Sequence, residues 1–516
     1  MQAGSFANTP SKKPEELVII GGGLEGCLAA IFAARLRDPY SGRPKYHITL
    51  LEKQDKLLNG ASLIASRLHL GGEYPLDPQT GFDCLKGAVI WKLLMPQNIY
   101  TDRSPMKFTV SKETEAEGKK GPLNAQGKKT LTLQKYLDYY ETIREKYEEH
   151  YNKIKKKFLR ETPGLLFGSP EQGKFYRKLT ADDYKQYDGD IAGQFHSEIA
   201  GGFQSQEPGL NPPLYLSAIE HLLLQQKNID VRLGSGVKEV KKINQGSQAG
   251  QFQINFEDGR QPVIADQVIQ AAWEENLKIS KDAKETTACN RTMIFMALDK
   301  PQKIDPIFIM LREHGGMLSS YDDKHIIGYR PTMDKAYLRG EKKLTHDDPE
   351  IPKEWSIDPL AKDVIAWFKN YSRSIGRFFP VIRKVGFHPC LFSRITLNFD
   401  DEHEKRRHSP TEERAPGHFI MAATKVTLAP QSALEAVEML QKRSKSGKNA
   451  PLIKVAEIGD PLDMALEGNY SLRELPDAQP NVTRARLFAF AHPPLEPGLV
   501  PDVIPGRYRT SGFHGR

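Results

Sequence analysis

Ten residues near the start of the chain, Leu17-Val18-Ile19-Ile20-Gly21-Gly22-Gly23-Leu24-Glu25-Gly26, constrain the fold more than any other stretch. Four apolar residues read as a short buried strand. Gly21, Gly23 and Gly26 follow in G-x-G-x-x-G spacing, and a helical run begins at Cys27 and reaches about Arg37, with Ala29, Ala30, Ala33 and Ala34 small enough to pack closely on a sheet. In such a unit the first glycine permits the tight turn, the second lets backbone approach a pyrophosphate, and the third lets helix and strand meet. A diphosphate then lies at the helix N-terminus, where N–H groups and the macrodipole favour negative charge. His47–Leu51 reads as a second strand ending in Glu52, an acid able to accept hydrogen bonds from a ribose. The gap from Gly26 to Glu52 exceeds the usual ~20 residues, and polar Asp38–Lys45 accounts for it as a long loop. The fold class expected is α/β, with a Rossmann-like dinucleotide-binding domain.

The stretch Asn59-Gly60-Ala61-Ser62-Leu63-Ile64-Ala65-Ser66-Arg67-Leu68-His69-Leu70-Gly71-Gly72-Glu73-Tyr74-Pro75 is rich in small and hydroxyl residues. It resembles the second phosphate-contacting segment of the flavoprotein family that includes D-amino-acid oxidase, sarcosine oxidase and FAD-linked glycerol-3-phosphate dehydrogenase. The resemblance implies FAD rather than NAD. It assigns Ser62 to the diphosphate and places the run from Arg67 to Tyr74 near the isoalloxazine. The cofactor set it implies joins Gly21, Gly23, Leu24, Glu25, Gly26, Glu52 and Lys53 to Ser62 and Arg67.

The dinucleotide domain resumes near Gly202. Leu214–Gln226 is an apolar-periodic helix, Ile229–Leu233 a strand, Val237–Val240 extended chain, and Gln251–Ile264 a hairpin turning at Asp258-Gly259. Asp266–Trp273 closes the unit as another buried strand. The same family has this order of elements, and it implies that Val237 lies at the adenine; Trp273 stands where many members have glycine. From Thr292 to about Arg394 the pattern predicts a mostly antiparallel β domain, with strands at Met293–Leu298, Ile307–Leu311, Gly316–Ser320 and His325–Tyr329 and helical Pro359–Arg373 inserted. It resembles the family's substrate-binding sheet. After a charged loop, His403–Arg414, the strand His418–Ala423 leads into Thr424-Lys425-Val426-Thr427-Leu428-Ala429-Pro430, with proline suited to a first helical turn. This resembles the G-G-K-x-T-T segment of the glycerol-3-phosphate dehydrogenase branch, Ala423 and Thr424 standing for the glycines. It implies a helix N-terminus at the flavin pyrimidine, with Lys425 and Thr427 beside it.

The expected organisation is a disordered lead over 1–15, a discontinuous FAD-binding domain over 16–95, 200–275 and 415–445, a mostly helical insertion over 96–199, a substrate domain over 276–414, and a Pro/Arg-rich extension over 446–516. Within the insertion, hydrophilic Pro105–Lys129 reads as a mobile surface loop. Leu131–Phe158 reads as a long helix whose Tyr136, Tyr139, Tyr140, Ile143 and Tyr147 share a face. At 516 residues the chain has ample material for two domains. Apolar content of 39% and a mean hydropathy of −0.53 describe a soluble chain, expected in the cytoplasm. No window offers the ~20 apolar residues of a membrane span, and the first residues lack the pattern of a secretory signal. The four cysteines, Cys27, Cys84, Cys289 and Cys390, form no C-x-x-C or C-x-x-x-x-C pair, which excludes a redox dithiol and a cysteine-rich zinc site. No metal is expected. A net charge of +8, from 73 basic and 65 acidic residues, attracts an anionic ligand without reaching the basic excess of a nucleic-acid binder.

For chemistry, His69 is a candidate general base, substrate contact or flavin attachment point, or else fills a polar pocket. Tyr74 borders the substrate site or belongs to the core. Arg330, in Gly-Tyr-Arg-Pro, and Arg394, in Leu-Phe-Ser-Arg-Ile, fall at strand ends and are candidates for clamping a substrate carboxylate or phosphate. Gly459-Asp460-Pro461 reads as a helix-start turn, although monooxygenases carry a similar dipeptide. The combined expectation is an FAD-dependent oxidoreductase that dehydrogenates a C–N or C–OH bond of a small, anionic substrate, with the electron acceptor unspecified. The rival readings are a flavin monooxygenase and a non-catalytic flavin-binding accessory protein.

Overall fold

The computed structural model describes residues 13–59, 67–95, 100, 106–121, 131–158, 166–171, 173–180, 182–183, 199–272, 275–279, 410–421, 425–446, 451–467 and 470, together with the backbone of strands at 288–299, 308–310, 317–320, 325–329 and 387–398. Ser62, Trp273, Arg330, the helix expected at Pro359–Arg373, the bulk of the His403–Arg414 loop, Ala423, Thr424, the first twelve residues and nearly all of the chain beyond 467 lie outside the described residues.

In chain order the elements are β1 (Glu15–Ile20), α1 (Leu24–Ala34), β2 (Tyr46–Leu51), α2 (Pro78–Leu94), β3 (Met106–Ser111), α3 (Lys112–Lys120), α4 (Leu133–Phe158), β4 (Tyr176–Lys178) and β5 (Ile199–Ser205). Then follow α5 (Pro212–Gln225), β6 (Ile229–Arg232), β7 (Val237–Lys242), β8 (Phe252–Phe256), β9 (Val263–Ala265), β10 (Gln267–Gln270) and the single turn α6 (Asn276–Ile279). The last set is β11 (Ala288–Asp299), β12 (Phe308–Met310), β13 (Met317–Ser320), β14 (His325–Tyr329), β15 (Phe387–Asn398), β16 (Glu412–Ala415), β17 (His418–Ile420), α7 (Ala429–Ser446) and α8 (Pro461–Leu466).

The first sheet has the order β16-β17-β10-β1-β2-β6. All its pairings are parallel except β16 with β17. Its central strand is apolar at consecutive positions because both faces are covered. Leu17 and Ile19 join the core containing α1, α5 and α7, while Val18 and Ile20 pack on the small antiparallel sheet β7-β8-β9. Ala29, Ala30, Ala33 and Ala34 are wholly buried, as their size predicts. Both expected features, the parallel sheet and the β8–β9 hairpin, are present.

The second sheet, β15-β11-β14-β13-β12-β3-β5-β4, is antiparallel apart from the β12–β3 pair. Its four strands expected between Met293 and Tyr329 are all there. The expectation of a mobile loop over Pro105–Lys129 is corrected in its first part. Met106-Lys107-Phe108-Thr109-Val110-Ser111 is fully buried and forms β3, between β12 and β5. Ser111 then caps α3 by accepting from the Thr114 N–H, and Glu113 and Glu115 favour that helix start. A short strand flanked by lysines is lost in a hydrophilic average. With β3 and β4, the 96–199 segment holds strands as well as helices. Gly202, where the dinucleotide domain was expected to resume, lies in β5 of the second sheet, and the Asn211-capped helix α5 follows. Glu15, the last residue of the expected lead, belongs to β1.

The long helix is present, and Tyr136, Tyr140, Ile143 and Tyr147 are buried along it. Tyr140 lies against Phe203 and Tyr176, with ring centroids 4.2 and 4.8 Å apart, and so fixes α4 to the second sheet. Asp460 caps α8 through the Leu462 N–H and pairs with Lys86 of α2 at 2.6 Å, which makes Gly459-Asp460-Pro461 a helix start. Leu462, Met464, Ala465 and Leu466 are buried in the main core, so the beginning of the C-terminal extension is part of the fold. No described helix is long and apolar enough to cross a membrane.

Candidate active site

The turn from β1 to α1 separates the roles of its glycines. Gly21 has φ +105°, and a Cβ there would lie 2.4 Å from the Ala271 carbonyl oxygen of the neighbouring strand segment. A Cβ on Gly26 would lie 1.9 Å from the Gly21 oxygen. Both are glycine because protein fills the space. At Gly23, the N-cap of α1, a Cβ would meet nothing within 4 Å. That open position, under the first-turn N–H groups of Leu24 and Glu25, suits a diphosphate.

Glu52 ends β2 beside this turn. Its Oε2 accepts the Gly22 N–H at 2.7 Å and its Oε1 accepts the Gln54 N–H at 2.8 Å. A carboxylate has about four lone-pair sites, which leaves acceptor capacity for two ribose hydroxyls. The Glu52 carbonyl takes the Ser235 N–H at 2.8 Å and that of Gln54 the Gly234 N–H at 2.9 Å, bringing Val237 to the same end of the sheet. Lys53, by contrast, pairs with Glu275 at 3.4 Å on the exposed side.

A second cluster forms where the Arg67–Tyr74 run meets two segments remote in sequence. Arg67, only 3% exposed, gives Nε to Glu207 Oε1 at 3.0 Å and Nη1 to Glu73 Oε1 at 2.8 Å, and its Nη2 also bonds Glu207. Against the penalty of burial, Glu207 and Glu73 raise the Arg67 pKa. Burial alone would raise the Glu73 pKa, but Arg67 and His69 hold it well below the usual carboxylate range. The other Glu207 oxygen accepts the Leu70 N–H at 2.9 Å. The structure therefore places Arg67 as a strut between two carboxylates, where a cofactor contact was expected. Glu207 carries no motif and follows a strand that the pattern assigned to another domain; sequence reasoning missed it.

His69 Nδ1 is 3.1 Å from Glu73 Oε2 and 3.2 Å from Arg67 Nη2. Its backbone N–H donates to Thr427 Oγ1 at 3.1 Å, and its ring meets Tyr74 edge-on at 5.9 Å. Over the Tyr74 ring, 4.9 Å from the centroid, sits the Lys425 ammonium. Burial lowers the Lys425 pKa, with Cys84, Glu73 and Asp83 opposing. Burial pushes the neighbouring Cys84 thiol up to about 12, so it is neutral. A 3-10 turn, Val426–Leu428, joins Lys425 to α7, and the Trp91 indole of α2 holds it by donating to the Val426 carbonyl at 2.8 Å. Thus His69, Tyr74, Lys425 and Thr427, expected near one another, are brought together. Arg394 is placed by its backbone alone: it lies within β15 opposite Thr292, inside a strand rather than at its end.

A parallel sheet with a glycine turn open at Gly23, together with a large antiparallel sheet and a polar cluster between segments of both, is the architecture of a dinucleotide-dependent enzyme class. The sequence profile of the family described as FAD dependent oxidoreductase (DAO) matches residues 16–433, and the chain belongs to that family. Among curated proteins none matches this sequence. Similar solved structures include L-alpha-glycerophosphate oxidase from Mycoplasma pneumoniae with FAD bound (15% identity, 86% of this chain and 97% of that one, TM-score 0.51). Glycine oxidase from Geobacillus kaustophilus is another (11% identity, 83% and 95% covered, TM-score 0.51). L-proline dehydrogenase from P. horikoshii is a third (14% identity, 88% and 98% covered, TM-score 0.52). At these identities the likeness is one of fold. The expected family, fold class and FAD cofactor are thereby borne out.

Proposed function

We propose that this FAD-dependent oxidoreductase dehydrogenates a C–N or C–OH bond of a small, anionic, amino-acid-like or glycerophosphate-like substrate. The observation that carries the reading is the meeting of His69, Tyr74, Lys425 and Thr427 at one point, from segments far apart in the chain. Gly23, the first-turn N–H groups of α1, Ser62 and Glu52 would hold the diphosphate and ribose, and Val237 would lie at the adenine. When bound, FAD supplies the oxidising chemistry, taking two electrons with the hydrogen of the substrate C–H bond. The protein's own part is to orient the substrate, accept its N–H or O–H proton and stabilise negative charge. His69 is the proton acceptor: the tautomer that donates Nδ1–H to Glu73 leaves Nε2 with its lone pair. Lys425, with the N-terminus of α7, supplies a positive field held in place beforehand. Arg394 is proposed as the fork that grips the substrate anion.

The purified protein should be yellow and release FAD on denaturation. Anaerobically, glycine, L-proline or L-α-glycerophosphate should bleach the flavin, and His69→Gln should slow that bleaching. Recovery of NAD without a flavin spectrum would end the cofactor assignment. Bleaching only by NAD(P)H would favour the monooxygenase reading instead.

A further inference from the structure

Three charged groups crowd the inner side of His69, and their arrangement assigns Glu207 a task. The groups around His69 are Glu73, Glu207 and Arg67 on its Nδ1 side, Tyr74 at its ring edge and Thr427 at its backbone N–H. Glu73 divides its two oxygens: Oε1 takes Arg67 Nη1 at 2.8 Å and Oε2 faces His69 Nδ1 at 3.1 Å. A guanidinium and a carboxylate left to themselves prefer the two-point, fork-to-fork pairing. That pairing would turn Glu73 Oε2 toward Arg67 Nη2, which lies 3.2 Å from His69 Nδ1 and, as a donor only, cannot accept an Nδ1–H in its place. Here Arg67 is kept from it because Glu207, wholly buried, engages Nε and Nη2. Glu207 is itself anchored by the Leu70 N–H at 2.9 Å, and its strand-like neighbours pair with the 67–68 segment, where the Leu68 N–H reaches the Pro208 carbonyl at 3.2 Å.

We propose that Glu207 is a positioning residue: by engaging two nitrogens of Arg67 it leaves one oxygen of Glu73 to hold His69 in its Nδ1–H tautomer. This rests on the reading of His69 as proton acceptor, since that tautomer directs the Nε2 lone pair away from the cluster. Glu207 acts through Arg67 and Glu73 and touches no reacting atom.

The test is ¹⁵N NMR of the FAD-loaded protein labelled at histidine, with His69→Gln identifying the signal. The wild type should show a protonated Nδ1 and a bare Nε2 at His69. Glu207→Gln keeps an acceptor for the Leu70 N–H but loses the charge, so Arg67 should turn to Glu73 and the Nδ1–H signature should be lost. Arg67→Met combined with Glu207→Leu removes the competitor as well and should restore the signature. An unchanged spectrum in Glu207→Gln, or no recovery in the double variant, would overturn the proposal. Should Glu207→Gln fold poorly, Glu207→Asp, which shortens the reach to Arg67, carries the same comparison with partial loss expected and an unchanged spectrum overturning it. The His69 reading is tested apart from this: a His69→Gln enzyme bleached as fast as wild type would end it whatever the spectra show.

Discussion

Gly23 and Gly26 stand three residues apart in one motif, yet their substitutions should fail for opposite reasons. A Cβ at Gly26 would lie 1.9 Å from a backbone oxygen, so Gly26→Ala should lower the thermal midpoint sharply or prevent folding. A side chain at Gly23 has room in the protein itself. Gly23→Val should therefore keep the fold and lose the flavin, read as visible absorbance per protein. Equal loss of folding in both would contradict the division of roles. Lys425 belongs to the same scale. Its ammonium is held over Tyr74 in a partly buried site, where charge acts more strongly than in water. Lys425→Met should lower the flavin midpoint potential while FAD stays bound, because the proposed diphosphate grip lies at α1. An unchanged potential would place the charge of Lys425 outside the flavin's reach.

Among the elements, α7 connects both halves of the proposed chemistry to the core. Its N-terminal side follows the turn carrying Thr427, and its C-terminal Arg443 pairs with Glu413 of β16 in a buried ion pair. Glu413 also accepts the Gly417 and Ile453 N–H groups at 2.8 and 2.6 Å, tying the 451–467 segment to the sheet. Removing one partner of such a pair typically costs about 3–5 kcal/mol, because the other charge is left buried. Arg443→Met should therefore lower the thermal midpoint clearly. Adding Glu413→Gln should recover part of it, since the amide leaves no unpaired buried charge and its one oxygen still accepts one of the two backbone donors. No recovery would mean that packing of the arginine stem, rather than charge, dominates.

For the whole molecule, stability should follow both cofactor and pH. A ligand that binds the folded state alone stabilises by about 2.7 kcal/mol at a hundredfold excess over Kd. Apoprotein should thus melt below the holoprotein and regain its midpoint on adding FAD. Burial pushes His418, packed on Phe252 with Nε2 3.1 Å from Gln270 Oε1, down to about 4. Unfolded, a histidine titrates near 6.5, so between those values the unfolded chain binds the extra proton. The His418 contribution is complete above about pH 6.5 and is lost as pH falls toward 4, at most about 1.4 kcal/mol per pH unit. His150, also lowered to about 4 by burial, acts in the same sense. The thermal midpoint should fall over that range, and less steeply in His418→Gln. Parallel slopes in the two proteins would rule out His418 as a contributor.

The dinucleotide half was legible in one dimension because its signals are local. Leu17–Ile20, the spaced glycines, the alanine face of α1 and Glu52 each state a backbone or packing requirement within a few residues of themselves. The long helix α4 declared itself through the tyrosine spacing for the same reason. What the chain order concealed depends on partners distant in sequence. β3 is a strand because β5 and β12 flank it, and its lysine-rich surroundings carry no trace of that. Arg67 read as a cofactor contact, and only the fold laid Glu207 and Glu73 against it. A charge needs no partner to be written in a sequence, but a buried charge must have one in the folded chain. The identity of that partner is decided by which segments the two sheets bring together.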